Sequence, residues 1–151
     1  MSRVKFTTDS AADIPVELQK ELDIQVLPFP IAMGDEEYAD CVDFTPDQFY
    51  EMLLAAPQIP THAQLNAYTF LELFNGAFEA GYTDLIHPSI NAKGSATYQT
   101  ALQARDMFYH DHPEAQGAFS IELIDSRTYT MAYGWAVVQG ARLAAGGASA
   151  R

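Results

Sequence analysis

The chain has 151 residues, 48% of them apolar, and 8 Lys or Arg against 20 Asp or Glu give a formal net charge of −12. That apolar content at this length supports one ordinary core and excludes intrinsic disorder. The acidic balance argues against nucleic acid and anionic membranes, whose phosphates must be neutralised by Lys and Arg.

Arg3-Val4-Lys5-Phe6-Thr7 alternates polar and apolar residues, the period of a short strand, and runs into the polar Thr8-Asp9-Ser10. A helix follows, with Pro15 near its start and Leu18 and Leu22 one turn apart. Ile24 to Leu27 reads as a second strand. Pro28 and Pro30 then interrupt an apolar run through Met33, as at a sheet edge, and Glu37 to Ala39 can pair back across the Gly34-Asp35-Glu36 turn. Thr45-Pro46-Asp47-Gln48 is a helix start in which Thr45 and Gln48 complete a capping box, with Phe49 and Leu53 on the buried side.

Pro57 and Pro60 break the chain and leave Thr61-His62-Ala63-Gln64 at the mouth of the next helix. There Phe70, Leu71, Phe74, Ala77 and Phe78 share a face, and Gly81 suits the left-handed residue past its end. Leu85 to Ile90 reads as a strand to which Pro88 is an objection, since a central proline loses a ladder hydrogen bond. Asn91 to Ser95 is a loop, and Tyr98, Ala101, Leu102 and Arg105 continue at helical spacing. Phe119 to Ile124 is a strand ending in Asp125-Ser126, and a last helix carries Met131, Trp135, Val138 and Ala141.

Alternating strands and helices predict an α/β fold with a mostly parallel sheet covered by helices. Ligands in such folds collect at the C-terminal ends of strands. Asp9-Ser10, Asn91 to Ser95 and Asp125-Ser126 fall there, and Thr61-His62 can join them. The loop Asn91-Ala92-Lys93-Gly94-Ser95-Ala96-Thr97 opens a helix, whose first N–H groups lack internal partners and favour a carboxylate or phosphate. The competing reading has Ser95 capping its own helix.

Other chemistry is poorly supported. Lys93 precedes Gly94, the reverse of a phosphate-binding P-loop, and no Gly-x-Gly-x-x-Gly follows a strand. No Gly-x-Ser-x-Gly elbow accompanies Ser10, Ser95 or Ser126. His110-Asp111-His112 sits at a helix end without the spaced ligand set a metal needs, so no metal and no cofactor is expected. His87 reads as a hydrogen-bonded core histidine, and Cys41 as a small buried side chain rather than a nucleophile. Cys41 is the sole cysteine, which fits a reducing cytoplasm, and neither an apolar signal core nor a run of about 20 apolar residues is present.

Four segments resemble the DegV proteins, a bacterial fatty-acid-binding family. They are Thr8-Asp9-Ser10-Ala11-Ala12-Asp13-Ile14-Pro15; Pro28 and Ile31 with Tyr38, Asp40 and Asp43; Gly94-Ser95-Ala96-Thr97-Tyr98-Gln99-Thr100-Ala101; and Ile124-Asp125-Ser126 followed by Gly134. The resemblance covers essentially the whole chain, residues 1–151. It implies a three-layer α/β/α first domain, without the second domain that covers the ligand's tail in that family. It also implies that the chain holds a long-chain fatty acid's carboxylate and presents it to a fatty-acid kinase while catalysing nothing itself.

The family's head-group threonine corresponds to Thr61, beside His62, and its serine-rich loop corresponds to Asn91 through Thr97. Asn91 and Ala92 replace two serines, Gly94 a leucine and Ala96 a glycine. The head-group set the resemblance implies is therefore Thr61, His62, Asn91, the Ala92 backbone and Ser95. A first domain alone exposes apolar surface where its partner domain sat, which favours a homo-oligomer or a bound amphiphile. Two other readings remain open: an enzyme using His62 as acid or base on a small anion, and an interaction module with an acidic face.

Overall fold

The structure is a computed structural model and describes residues 2–150. In chain order its first elements are β1 (Val4–Asp9), a 3-10 turn (Ser10–Ala12), α1 (Val16–Glu21), β2 (Gln25–Leu27), β3 (Pro30–Met33), β4 (Glu36–Ala39) and α2 (Pro46–Ala55). Next come β5 (Thr61–His62), α3 (Ala67–Glu79), β6 (Asp84–Ser89), α4 (Thr97–Asp111), a second 3-10 turn (Pro113–Ala115), β7 (Ser120–Asp125) and α5 (Met131–Ala145).

Four strands form a parallel sheet in the order β2-β1-β6-β7. One face carries α3 and α4, whose Phe70, Phe74, Ala101, Ala104 and Phe108 pack with Leu85 and Ile121. The other carries α5 and α1, where Val137, Val138 and Ala141 meet Phe6 and Ile86. The architecture is thus the three-layer α/β/α sandwich that alternation and resemblance imply. Beside it, β4-β3-β5 make a small antiparallel sheet: β3 and β4 are the hairpin expected around Gly34, which turns at φ +64°.

Local signals explain most boundaries. Thr45 Oγ1 accepts from the Gln48 N–H, and Gln48 Oε1 accepts from the Thr45 N–H, the capping box that opens α2. Asn66 caps α3 through a 3.0 Å bond from the Thr69 N–H, and Gly81 follows its end at φ +75°. The objection raised by Pro88 is met by geometry. Its carbonyl faces β1, where it accepts from Thr8 Oγ1 at 2.8 Å, and the β1–β6 pairing has already ended at Phe6 and Ile86. The N–H that proline lacks would point to that same side, so no ladder bond is forfeited.

Four expectations need correction. Thr61 and His62 are not at a helix mouth: they form β5 against Ala32 and Ile31, and α3 starts only at Ala67. Cys41 is exposed, not buried, in a left-handed turn at φ +59° after the hairpin. Trp135 is also exposed, under the Arg142 guanidinium, and α5 buries Tyr133, Gly134, Val137, Val138 and Ala141 instead. Phe49 and Leu53 are only half-buried, so α2 is held mainly at its start, where Phe49 meets Phe44 with ring centroids 5.3 Å apart.

Candidate functional site

The central strands β1 and β6 lead away in different directions, β1 to its neighbour β2 and β6 to β7. Crevices for ligands open at such a divide, beyond the carboxyl ends of the strands. An unusual amount of buried polarity lies there: Thr7, Thr8, Asp9, Ser10, His87, Ser89 and Thr97 are all buried.

Asp9 organises this end of the sheet. Its carboxylate accepts from the Tyr133 hydroxyl of α5 and, at 2.8 Å, from the Ile90 N–H at the end of β6. Burial raises its pKa above the usual carboxylate value, although Tyr133 and the Ile90 and Ala11 N–H groups pull the other way. Ser10 continues the frame: its hydroxyl donates to Asp40 at 2.6 Å and accepts the Phe29 N–H at 3.1 Å. Phe29 in turn meets the His62 ring edge-on at 6.2 Å between centroids. Thr61–His62 and the loop after Ile90 are therefore both tied to the end of β1, one through Ser10 and the other through Asp9.

The loop itself is knotted by its own polar groups. The Asn91 carbonyl accepts from the Gly94 and Ser95 N–H groups, and Asn91 Oδ1 accepts from the Lys93 N–H. The Asn91 N–H donates to the Thr128 carbonyl, and the Ala92 N–H to Asp125 Oδ1 at 3.0 Å. Ser95 Oγ lies 2.9 Å from Thr97 Oγ1 and accepts the Thr97 N–H at 3.3 Å. The amides from Asn91 to Ser95 are thus turned to internal acceptors, contrary to the expectation that they stand unpaired toward a ligand. In particular, the Ala92 backbone donor is already engaged. Thr61 and His62 are exposed, and Asn91 and Ser95 are half-buried.

Asp125 was legible only as a polar strand end, yet it clamps this loop. It accepts from both the Ala92 and Arg127 N–H groups at 3.0 Å, and these bonds, with the nearby Arg127 and Lys93 charges, hold its carboxyl below the usual value. Tyr129 closes the loop from above; a Cβ on Gly94 would lie 2.3 Å from its hydroxyl, so a side chain there must displace it.

The remaining candidates are inert. His87 is fully buried, its Nδ1 is 2.8 Å from Thr7 Oγ1, and desolvation pushes its pKa down to about 3, as suits a neutral core histidine. The Cys41 thiol is pushed up to about 12 by partial desolvation and the Asp40 carboxylate, which suppresses the nucleophilic thiolate. Among the described residues no group of three His, Cys, Asp or Glu could hold a metal ion, and no helix is long and apolar enough to cross a membrane.

The sequence model of the family described as "Uncharacterised protein, DegV family" matches residues 3–151. The chain belongs to the DegV family. A DegV domain-containing protein of Caldanaerobacter subterraneus subsp. tengcongensis is 36% identical over 149 residues, covering 99% of this chain and 50% of that protein. Among solved structures, a fat acid (stearic acid)-binding protein of Eubacterium ventriosum superposes with a TM-score of 0.84 at 24% identity, covering 99% of this chain and 50% of the other. DegV of Bacillus subtilis, a fatty acid binding protein, gives 0.84 at 23%, with the same coverage. These two likenesses show a DegV fold. The chain spans about half the length of the relatives it matches.

Proposed function

We propose that this chain binds a long-chain fatty acid and holds its carboxylate among Thr61, His62, Asn91 and Ser95. The observation that carries the reading is the tethering of Thr61–His62 and of the Asn91 loop to one strand end, through Ser10–Phe29 and Asp9–Ile90 respectively. Membership of the DegV family supports it, as do solved neighbours from Eubacterium ventriosum and Bacillus subtilis that are themselves fatty-acid-binding proteins.

The altered loop changes how the head group is met. With the Ala92 N–H engaged by Asp125, donors to the carboxylate come from the Thr61 hydroxyl, the Asn91 amide and the His62 ring. A hydrogen bond to a charged group is worth about 1.5–3 kcal/mol, whereas each buried CH₂ of an acyl tail is worth about 0.8 kcal/mol. The tail therefore supplies most of the affinity, and the head-group set supplies orientation with a smaller share of the affinity. In the same reading the chain is a carrier that shows the carboxylate to a fatty-acid kinase rather than an enzyme.

Native mass spectrometry of the purified chain titrated with stearic acid tests the binding. One acid per chain is expected, with affinity about tenfold or more weaker in Thr61→Ala and Asn91→Ala, since 1.4 kcal/mol corresponds to a factor of ten. No association, or affinity unchanged from the wild type in both variants, overturns the site. Formation of acyl phosphate from stearate, ATP and a bacterial fatty-acid kinase only when the chain is added tests the presentation step.

A further inference from the structure

A second concavity lies between the start of α1, Val26 of β2 and the loop that leads into α2, with a volume of about 600 Å³. Its apolar surface comes from Ile14, Val16, Val26, Val42 and Phe44. Asp13, Glu17 and Asp43 also line it, all exposed, and among the described residues no Lys or Arg does. Val16 and Val42 are 45% and 68% exposed, so its apolar lips face water.

We infer that this groove docks a segment of a partner protein in which apolar side chains alternate with Lys or Arg. Two features select that occupant. An apolar trough edged by carboxylates that form no salt bridge among the described residues, Asp43 accepting only the Ala39 N–H, is complementary to an amphipathic cationic segment and repels an acidic one. A small ligand would leave the exposed Val16 and Val42 lips wet, whereas ligand pockets bury most of their occupant. A polypeptide reaching past both rims covers them. The electrostatics agree: burial and the neighbouring Asp40 carboxylate raise the Asp13 pKa above its usual value, a like-charge arrangement that an incoming cation relieves. The proposal does not depend on lipid binding.

The test is selection from a random 16-residue peptide library displayed on phage and panned on the purified chain. The enriched peptides are then synthesised with a fluorophore and titrated by fluorescence anisotropy. Enriched sequences are expected to carry at least two Lys or Arg beside apolar residues. Their affinity should fall at least tenfold in Val42→Ser, which removes an apolar lip, and in Asp13→Asn/Glu17→Gln, which removes rim charge. Both variants alter exposed side chains, and Asn tolerates the left-handed conformation of Asp13 at φ +52°. The distant pair Glu79→Gln/Asp111→Asn removes the same charge and should leave affinity within twofold. No enrichment, enriched peptides without cations, indifference to Val42→Ser or to Asp13→Asn/Glu17→Gln, or an equal loss in the distant pair each overturns the proposal.

Discussion

The Tyr133 hydroxyl donates to the buried Asp9 carboxylate, joining the end of β1 to α5 across 124 residues of sequence. The other oxygen of Asp9 takes the Ile90 N–H, so a single carboxylate fixes two strand ends and a helix. Because Asp9 is fully buried, removing one donor leaves an acceptor that water cannot reach. Tyr133→Phe should therefore cost about 1–3 kcal/mol in urea denaturation, with an unchanged far-ultraviolet spectrum. A loss under about 0.5 kcal/mol would show that the bond carries little of the packing at this end of the sheet.

Acid should weaken the fold through His87. Its folded pKa of about 3 lies below the unfolded value of 6.5, so the native state binds fewer protons. Its contribution is complete above pH 6.5 and drains away toward pH 3, at about 1.4 kcal/mol per pH unit between those limits. Asp9 opposes it, since a raised carboxylate pKa removes stability as pH rises from 3.8 through its folded value. His87→Leu separates the two. The variant loses the Thr7 bond at every pH, but His87 Nε2 has no hydrogen-bond partner among the described residues, so no second bond is lost. Between pH 6.5 and 4.5, urea-measured stability of the wild type should fall relative to His87→Leu; parallel curves would contradict the assignment.

Much of this arrangement was legible where it depends on nearby residues. The Thr45–Gln48 box, the Gly81 terminus and the hairpin at Gly34 are each encoded within a few positions, and each forms as read. What escaped is long-range. A two-residue strand such as Thr61–His62 has no period of its own, and only its pairing with Ile31 and Ala32 defines it. The Ala92 N–H looked free because its acceptor, Asp125, is 33 residues away. The strand-end position of Asp9 was readable, but its burial is set by Tyr133 and Ile90, which no local pattern connects to it. Cys41 stays exposed because the turn after β4 carries it outward before Phe44 returns to the interior.

Releasing Asp125 should loosen the Asn91 loop without unfolding the domain. Asp125→Ala frees the Ala92 and Arg127 N–H groups together, so both amides should exchange with solvent at least tenfold faster. The same loss of protection, taken relative to the intrinsic exchange rate at each pH, should appear in the wild type at low pH. A depressed folded pKa means that this tether is present above pH 3.8 and is lost as pH falls through the lower folded value. Asp125 is nearly open to solvent at its carboxyl, so little global stability follows and the melting temperature should barely move. Unchanged exchange at Ala92, followed by proton–deuterium exchange and nuclear magnetic resonance, would remove Asp125 from its role as the loop's clamp.

Two helical glycines should respond to alanine with opposite signs. At Gly134 a Cβ would lie 2.1 Å from the Ala12 carbonyl oxygen, a backbone atom that moves only if α5 lifts off the turn after β1. Nothing flexible can absorb that overlap, and overpacking of this kind costs about 1–3 kcal/mol, so Gly134→Ala should melt well below the wild type. It should also disturb the Asp9–Tyr133 bond, because Tyr133 is the adjacent residue. Gly76 lies within α3, where an added Cβ meets nothing within 4 Å. There alanine lowers the entropy of the unfolded chain and improves helix propensity by about 0.5–1 kcal/mol, so Gly76→Ala should melt above the wild type. Calorimetric melting of the two variants side by side separates steric contact from propensity: a drop for both would mean that α3 is packed against something its surroundings do not show, and a rise for both would mean that α5 does not approach Ala12 so closely.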